Sequence, residues 1–446
     1  MNGLERNKKA YGVLQAISEA SRCLNCHEPP CSRDCPAGTD PGTFIRKLKL
    51  KNIKGAVRTI KNNNILGGIC GALCPTERLC MKGCSATGID RPIEIGKIQR
   101  FLVEYGWETG FDAIKKKGSG KGQIAVIGSG PAGLACAAEL AKNGYGITIF
   151  EGREKAGGVL RYGVPEFRMN TEFVERELED VLTLGVELKT RSRIERGEAD
   201  RLLSEGFEAV FMGIGTWNPA RLDIPGSDLV NVTDSQKFLE GMRSGRNVEL
   251  GSKIRGKNVA VVGGGSVAMD AATTCATLGA NKVYVIYRRS LREMPADEED
   301  LDLALSHNIT LRTQSIVTEL IGEDGRLTGL KGCETDWKNP DDHSAANLVT
   351  VPGTEYRLNV DFFVKAIGMR SEEGNKGLSE LVENLPNGLV KTGDDGVSTT
   401  HKRIFVGGDA ARGPALIVQA VQDGKTAAEC IMKMLEENKS AGGAFE

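Results

Sequence analysis

Gln123-Ile-Ala-Val-Ile-Gly-Ser-Gly-Pro-Ala-Gly133 is the stretch that decides the fold. Gln123 to Ile127 is a short buried strand, and Gly128-Ser-Gly130-Pro-Ala-Gly133 opens a helix that runs to about Asn143. Ile147-Thr-Ile-Phe-Glu151 is the next strand and ends on an acid. A Gly-x-Gly-x-x-Gly alone carries little weight. Here a strand precedes it, a helix follows it and an acid ends the second strand, which together mark a dinucleotide site. Gly128 makes the tight turn, Gly130 lets the backbone approach a pyrophosphate, and Gly133 lets helix and strand pack closely. Pro131 and Ala132 lie at the helix N-terminus, where backbone N–H groups favour an anion. Glu151 can hydrogen-bond a ribose hydroxyl. The competing reading is an α/β turn that binds nothing.

The pattern then repeats. Asn258-Val-Ala-Val-Val262 is a strand, Gly263-Gly-Gly265-Ser-Val-Ala268 opens a helix, and Lys282-Val-Tyr-Val-Ile-Tyr287 is the following strand. No acid ends it. Arg288 and Arg289 do, with Arg292 close behind. An arginine at that place accommodates a 2′-phosphate. We read the first turn as an FAD site. The second, with Gly263, Gly264, Gly265, Ser266 and Val267, reads as an NADPH site. The arginines also sit where surface charge is common, so NADH stays open.

Two more stretches fit a flavoprotein. Lys402-Arg-Ile-Phe-Val406 runs into Gly407-Gly408-Asp409, and Ala415 to Leu435 reads as a long helix starting near where a flavin phosphate or ring edge is met. Phe211-Met-Gly-Ile-Gly215 and Phe363-Val-Lys-Ala-Ile-Gly368 look like crossings between an outer and an inserted domain. The expected fold is multidomain: an α-helical domain at 1–114, a polar glycine-rich linker at 115–122, and two Rossmann-like α/β domains. The FAD domain is discontinuous, at 123–224 and 366–446, with an NAD(P)H domain inserted at 225–365. Asp324 to Glu355 reads as strands and turns in which no site is seen.

Upstream, eight of the twelve cysteines fall between Cys23 and Cys84. They form two runs, Cys23-x2-Cys26-x4-Cys31-x3-Cys35-Pro36 and Cys70-x3-Cys74-Pro75-x4-Cys80-x3-Cys84. Thiolates are soft ligands, and short spacings bring several around one iron–sulfur cube. The closing Cys-Pro resembles bacterial ferredoxin runs, in which the fourth cysteine serves the other cluster. Two [4Fe–4S] clusters with interleaved ligands are expected. Zinc is the competing reading, although it usually takes well-separated Cys-x2-Cys pairs. Residues 1–22 read as a helix, Pro41 to Asn63 carries apolar residues at helical spacing, and Ile93 to Tyr105 reads as a further helix. His27 reads as second-sphere or surface, Cys136 and Cys275 as buried packing residues, and Cys333 and Cys430 are isolated. No cysteine pair follows Gly157-Gly158, so the dithiol of disulfide reductases is missing.

The chain has 446 residues, 40% hydrophobic and 26% charged, which suits a soluble protein of two or three domains. Its net charge of −1 gives no argument for nucleic acid or an anionic membrane. No apolar run approaches the roughly 20 residues that span a bilayer. A reducing cytoplasm fits the cysteine use. Only four histidines are present, as suits chemistry carried by cofactors rather than by acid–base groups.

The stretches Glu19-Ala-Ser-Arg-Cys-Leu-Asn-Cys-His-Glu-Pro-Pro-Cys31, Cys70-Gly-Ala-Leu-Cys-Pro-Thr-Glu-Arg-Leu-Cys80 and Pro92-Ile-Glu-Ile-Gly-Lys-Ile-Gln99 carry a family likeness. Over roughly residues 15–435 the chain resembles the electron-input module of dihydropyrimidine dehydrogenases. It looks most like the separate flavin and iron–sulfur subunit of the bacterial NAD(P)-dependent enzyme. It is also similar to glutamate synthase small subunits, which typically have a shorter Cys-Pro-x-x-Cys in the second run. A third likeness is to the large subunit of electron-bifurcating ferredoxin:NADP reductases, which tend to carry Glu at the place of Gln99.

The resemblance implies one cluster on Cys23, Cys26, Cys31 and Cys84, and another on Cys35, Cys74, Cys80 and the Gln99 side chain, with Cys70 spare. Without the resemblance, Gln99 reads as a surface helix residue. For FAD the resemblance adds Gly158, Val159, Arg168, Gly408, Asp409, Ala415, Leu416 and Ile417. For the nucleotide it adds the crossing Ala366, Ile367 and Gly368. Some bacterial relatives lack the double arginine and use NADH. The implied function is oxidation of NAD(P)H at FAD, with electrons passing to an FMN- and iron–sulfur-containing partner subunit that reduces uracil or thymine. No residue of this chain is assigned as an acid–base catalyst. The rival readings are a glutamate synthase small subunit and a zinc-stabilised nucleotide-sensing interaction protein.

Overall fold

The computed structural model describes residues 11–114, 118, 120–195, 197–245, 247–370, 378 and 380–440. Among residues 11–114, apolar residues at helical spacing give Val13–Ser21 (α1), Pro41–Lys49 (α2), Ile53–Asn63 (α3), Gly67–Leu73 (α4) and Ile95–Glu108 (α5), with no strand. Phe44, Ile45, Leu48, Val57, Ile60, Ile98 and Leu102 form the buried centre of this layer. The expected helix over 1–22 starts at Val13, and residues 1–10 lie outside the described residues. The apolar spacing from Pro41 to Asn63 belongs to two helices. Lys51 takes a φ of 61°, and Asn52 restarts the chain by accepting from Gly55 N–H at 2.9 Å. A side-chain oxygen there satisfies a first-turn donor. The linker expected at 115–122 falls partly outside the described residues.

The chain folds into two compact units. The first holds residues 1–161, 166–216 and 370–446, so the helical layer belongs to it together with a parallel sheet. That sheet is built from Gln123–Ile127 (β1), Gly146–Phe150 (β2), Glu187–Lys189 (β3), Ala209–Met212 (β4) and Ile404–Val406 (β14). Its order is β14-β4-β1-β2-β3. Strand order reverses at β1, where ligands bind outside the carboxyl ends of such sheets. Pro131–Lys142 (α6) and Ile417–Ser440 (α9) pack face to face in the same unit. A Cβ at Gly424 of α9 would strike the Ala132 carbonyl of α6, so that contact admits only glycine. The last helix starts later than expected and runs past Leu435 to Ser440. Thr171–Leu182 (α7) completes the elements used below.

The second unit holds residues 162–165 and 217–369. Its parallel sheet uses Val232–Asp234 (β5), Asn258–Val262 (β6), Lys282–Ile286 (β7), Thr310–Arg312 (β8) and Phe362–Lys365 (β13), in the order β5-β13-β6-β7-β8. Ser266–Thr277 (α8) follows the second glycine turn. An antiparallel sheet completes the unit. In it Ser315–Glu323 (β9) pairs with Arg326–Trp337 (β10), which also pairs with Leu348–Thr350 (β11) and Tyr356–Leu358 (β12). Cys136 and Cys275 are fully buried packing residues.

Candidate functional site

Cys23, Cys26, Cys31 and Cys84 line one hollow, open on one side to solvent. Cys35, Cys70, Cys74, Cys80 and Gln99 line a second, also open. Each hollow thus draws on both runs. Asn25, at a φ of 53°, turns the chain between Cys23 and Cys26, and the short helix Pro30–Arg33 carries Cys31. Cys70 and Cys74 lie one helical turn apart, on α4 and at its C-cap. Thr39 N–H donates to Cys35 Sγ at 3.5 Å. Gln99 is buried and donates its amide N–H to the Gly67 carbonyl at 2.5 Å. Its acceptor oxygen is the atom left over. The surface reading of Gln99 is therefore wrong. At Gly71 a Cβ would stand 2.9 Å from the Gly96 carbonyl, and this close approach of α4 to α5 brings Gln99 over the hollow. Cys70, expected to be spare, also lines the second hollow. His27 is exposed.

The donor chemistry suits a large cationic centre. Burial, with Cys23 and Cys84 beside it, pushes Cys31 up to about 12. A hydrogen bond with Cys70, burial and the neighbouring Cys80 and Cys35 raise Cys74 well above the ordinary thiol value. Thiols crowded this way ionise only when metal takes up the charge.

The second hollow is not closed by the helical layer alone, since Val418 from the first turn of α9 lines it too. Around it, side chains from the sheet's helices hold the helical layer. Glu177 of α7 accepts the Gly68 and Ile69 N–H groups, both at 3.0 Å. Lys61 Nζ lies 2.7 Å from Glu177 and 2.6 Å from Asp180, and Trp107 Nε1 donates to Asp180 at 2.9 Å. Lys142 of α6 donates to the Lys61 and Asn62 carbonyls at 3.2 and 3.0 Å. Lys425 of α9 donates to the Ala37 and Asn63 carbonyls at 2.6 and 2.7 Å.

The first glycine turn is a cradle that side chains would fill. A Cβ at Gly128 would stand 2.6 Å from the Gly213 carbonyl, and one at Gly158 would stand 2.8 Å from Gly130 Cα. Gly130 is the N-cap of α6 and Pro131 its first residue, with Ala132 and Gly133 behind them. Ser129 ties the parts together, since its N–H and hydroxyl donate to Glu151 and its oxygen accepts Gly157 N–H at 3.0 Å. Glu151 is buried just past β2 and also accepts Arg153 N–H at 2.8 Å. A Cβ at Gly408 would stand 3.2 Å from Ala132 Cβ and 3.5 Å from Ala420 Cβ. Asp409 accepts from the Thr216 hydroxyl at 3.4 Å, and burial pushes its carboxyl up to about 6. Ala415, Leu416 and Ile417 lie at the start of α9, partly open to solvent. Val159 is exposed and Arg168 half-buried in the turn before α7.

The second turn repeats the arrangement in its own unit. A Cβ at Gly263 would strike the Ala366 carbonyl, and one at Gly264 would strike the Tyr287 ring. Gly265 caps α8, and Ser266 and Val267 begin it. Ile367 and Gly368 follow Ala366 at the end of β13, the first half-buried and the second exposed. Arg288 and Arg292 are exposed and Arg289 half-buried, just past β7.

A family model described as dihydropyrimidine dehydrogenase domain II, 4Fe-4S cluster, matches residues 1–111. One described as pyridine nucleotide-disulphide oxidoreductase matches residues 122–424. The chain belongs to the pyridine nucleotide-disulphide oxidoreductase family. It is an NAD(P)-dependent flavoprotein of the kind that carries a 4Fe–4S domain ahead of its nucleotide-binding sheets. It is 33% identical to the NAD-dependent dihydropyrimidine dehydrogenase subunit PreT of Escherichia coli K12, covering 98% of both chains. It is 31% identical to the glutamate synthase [NADPH] small chain of the same organism, covering 95% of this chain and 92% of that one. Among solved structures, Mycobacterium tuberculosis FprA in complex with NADPH matches with a TM-score of 0.61 at 15% identity. That match covers 73% of this chain and 87% of FprA, and it shows the fold. No helix among the described residues is long and apolar enough to cross a membrane.

Sequence reasoning missed Ser129, Thr216, Val418 and Glu177. Ser129 sits inside the motif and Thr216 beside the first crossing, so both had a local signal. Glu177 and Val418 had none, because their partners are distant in sequence.

Proposed function

We propose that this chain takes hydride from NAD(P)H onto FAD. Electrons then pass singly through two [4Fe–4S] clusters to an FMN- and iron–sulfur-containing partner subunit that reduces uracil or thymine. The domains would be an iron–sulfur domain at 1–114, an FAD domain at 123–224 and 366–446, and an NAD(P)H domain at 225–365. The turn at Gly128, Gly130 and Gly133 would hold the FAD pyrophosphate, with Glu151 on the ribose and Asp409 and the start of α9 near the flavin. One cluster would sit on Cys23, Cys26, Cys31 and Cys84, and the other on Cys35, Cys74, Cys80 and Gln99. When bound, the flavin supplies two-electron chemistry and the clusters one-electron chemistry; the chain's own task is to fix their spacing.

The observation that carries this reading is the second hollow. It is lined at once by cysteines of the helical layer and by Val418, one residue into the helix that also begins at the flavin residues. A nucleotide sensor has no use for that adjacency. The test is anaerobic purification, iron and flavin analysis, and stopped-flow reduction. Expected are about eight irons per FAD and bleaching of both flavin and iron–sulfur bands by a reduced nucleotide. Colourless protein, or flavin that no nucleotide reduces, would sink the proposal. The 31% identity to a glutamate synthase small chain favours a second reading. Adding the native partner separates the two, since one yields dihydrouracil and the other glutamate.

A further inference from the structure

The antiparallel sheet of the second unit, in which the sequence shows no site, holds the arginine pair from behind. Ser315 N–H donates to the Tyr287 carbonyl at 3.0 Å and Gln314 N–H to the Arg289 carbonyl at 2.8 Å. Thr335 Oγ1 donates to the Arg288 carbonyl at 2.7 Å. Three successive carbonyls are thus fixed from β9, β10 and the turn before them. In front, the same segment closes back on the glycine turn. Ala296 N–H donates to the Gly264 carbonyl at 3.0 Å, and Asp297 N–H reaches Ser266 Oγ at 3.4 Å.

The side chains continue the arrangement. The Arg289 guanidinium stands 5.5 Å from the centre of the Trp337 ring, within cation–π reach. Trp337 meets His343 edge-on at 5.0 Å. His343 Nδ1 lies 2.8 Å from Glu293 Oε1, and Glu293 also accepts the Ser290 N–H and hydroxyl at 3.1 and 2.6 Å. The loop that presents His343 is built around Asn347. Its amide donates to the Asn339 and Asp342 carbonyls at 2.6 and 2.5 Å, and its oxygen accepts Asn339 N–H at 3.1 Å. A mere connector would not bury an asparagine at its centre. Arg289 meanwhile keeps a buried Nε without a hydrogen-bond partner. The Trp337 ring and the fixed Arg289 carbonyl together restrict where this side chain lies, and a guanidinium so restricted can pair a bidentate anion.

We propose that Trp337 and His343 are positioning residues that lock Arg289 into a platform for a 2′-phosphate, so that the chain selects NADPH over NADH. This rests on reading the second glycine turn as the NAD(P)H site. The ring limits the arginine's rotamers before the nucleotide arrives, so less ordering is lost on binding. A free 2′-hydroxyl offers no charge for the platform to grip.

The test uses full-length, cofactor-replete protein. NADPH- and NADH-dependent ferricyanide reduction are measured side by side, together with equilibrium binding of 2′,5′-ADP and 5′-AMP. Trp337→Leu and His343→Ala are each expected to raise the KM for NADPH and the Kd for 2′,5′-ADP about two- to fivefold. The kcat, the KM for NADH and 5′-AMP binding should not move. Arg289→Ala should raise the KM for NADPH and the Kd for 2′,5′-ADP by about tenfold or more. His343 is largely exposed, so its replacement leaves folding intact if the Trp337 variant proves unstable. Equal losses with both nucleotides, or no loss with either, would overturn the platform. Wild-type preference for NADH, with 2′,5′-ADP bound no tighter than 5′-AMP, would overturn it while leaving the proposed electron path standing. Flavin that neither nucleotide reduces would overturn both.

Discussion

Replacing Lys61 by Met tests how the cysteine-bearing helices are held to the parallel sheet. Lys61 Nζ lies 2.7 Å from Glu177 and 2.6 Å from Asp180, and it also donates to the Ile65 carbonyl at 3.2 Å. Lys61 is 4% exposed and Glu177 0%. Burial opposes the charge on Lys61, but the two carboxylates outweigh it and hold the ammonium above its ordinary 10.5. Removing one partner of a buried pair costs ~3–5 kcal/mol, because the other charge is left uncompensated. Glu177 keeps two backbone N–H donors and Asp180 keeps Trp107, so the loss should fall near ~3 kcal/mol. Lys61→Met with Glu177→Gln removes both charges and should cost less than the sum of the singles, with a coupling of ~2 kcal/mol. The assay is urea unfolding of anaerobic holoprotein, with iron–sulfur absorbance and flavin fluorescence followed separately. Because the folded pKa of Lys61 is raised, its stabilisation is complete below 10.5 and is lost only as pH rises through the higher folded value. Burial raises the Glu177 carboxyl above its ordinary 4.5 although Lys61 opposes the shift, so the defect should hold above that carboxyl's titration and shrink only in strong alkali. A single-mutant cost under ~1 kcal/mol, or strict additivity, would refute the reasoning.

Iron analysis and EPR should separate the cysteines: Cys84→Ser loses about half the iron, while Cys70→Ser keeps it. Iron lost from the Cys70 variant and kept in the Cys84 variant would reverse the assignment. Burial raises Asp409 from 3.8 to about 6, so its proton binds more tightly in the folded state and its contribution to stability falls as pH rises across that window. In flavin-stripped protein Asp409→Asn should therefore relieve a penalty of at most ~3 kcal/mol at neutral pH and none near pH ~3, read from urea midpoints. A Cβ at Gly133 would strike the Gly128 carbonyl. Gly133→Val should thus purify with little flavin but normal iron, and full flavin occupancy would contradict the cradle.

Much of this was legible because it is local. The glycine turns, their flanking strands and the acid or arginines at the strand ends all lie within a short stretch, where backbone geometry leaves few alternatives. The split of Pro41 to Asn63 was not legible, since hydrophobic spacing continues across a break made by one left-handed residue, Lys51. Spacing suggested that the two cysteine runs cross but not which residues do so, because the hollows are assembled from Cys35 and Cys84 across folded helices. Gln99 looked like a polar helix residue because the close approach of Gly71 to Gly96 that buries it is a packing fact. The sheet behind Arg289 carried no motif, and its meaning lies in carbonyl contacts that composition does not record.

The segment from residue 60 to 70 shows why the cysteine domain shares a unit with the flavin-type sheet. A helix ends with unpaired carbonyls and begins with unpaired N–H groups, and a buried end needs partners for both. At the end of α3 the carbonyls of Lys61, Asn62 and Asn63 are taken by Lys142 and Lys425, from α6 and α9. At the start of α4 the Gly68 and Ile69 N–H groups are taken by Glu177, from α7. Cations meet the negative end and a carboxylate meets the positive end, as the helix dipoles favour. All three side chains come from beyond residue 120, so the turn that delivers Cys70 and Cys74 is set by the sheet's helices rather than by its own neighbours. One of those helices, α9, also brings Val418 to the second hollow. Electron transfer falls steeply with distance, and a tethered domain would sample many distances. Caps drawn from the opposite layer remove that freedom, and they do so at the element that carries Cys70 and Cys74.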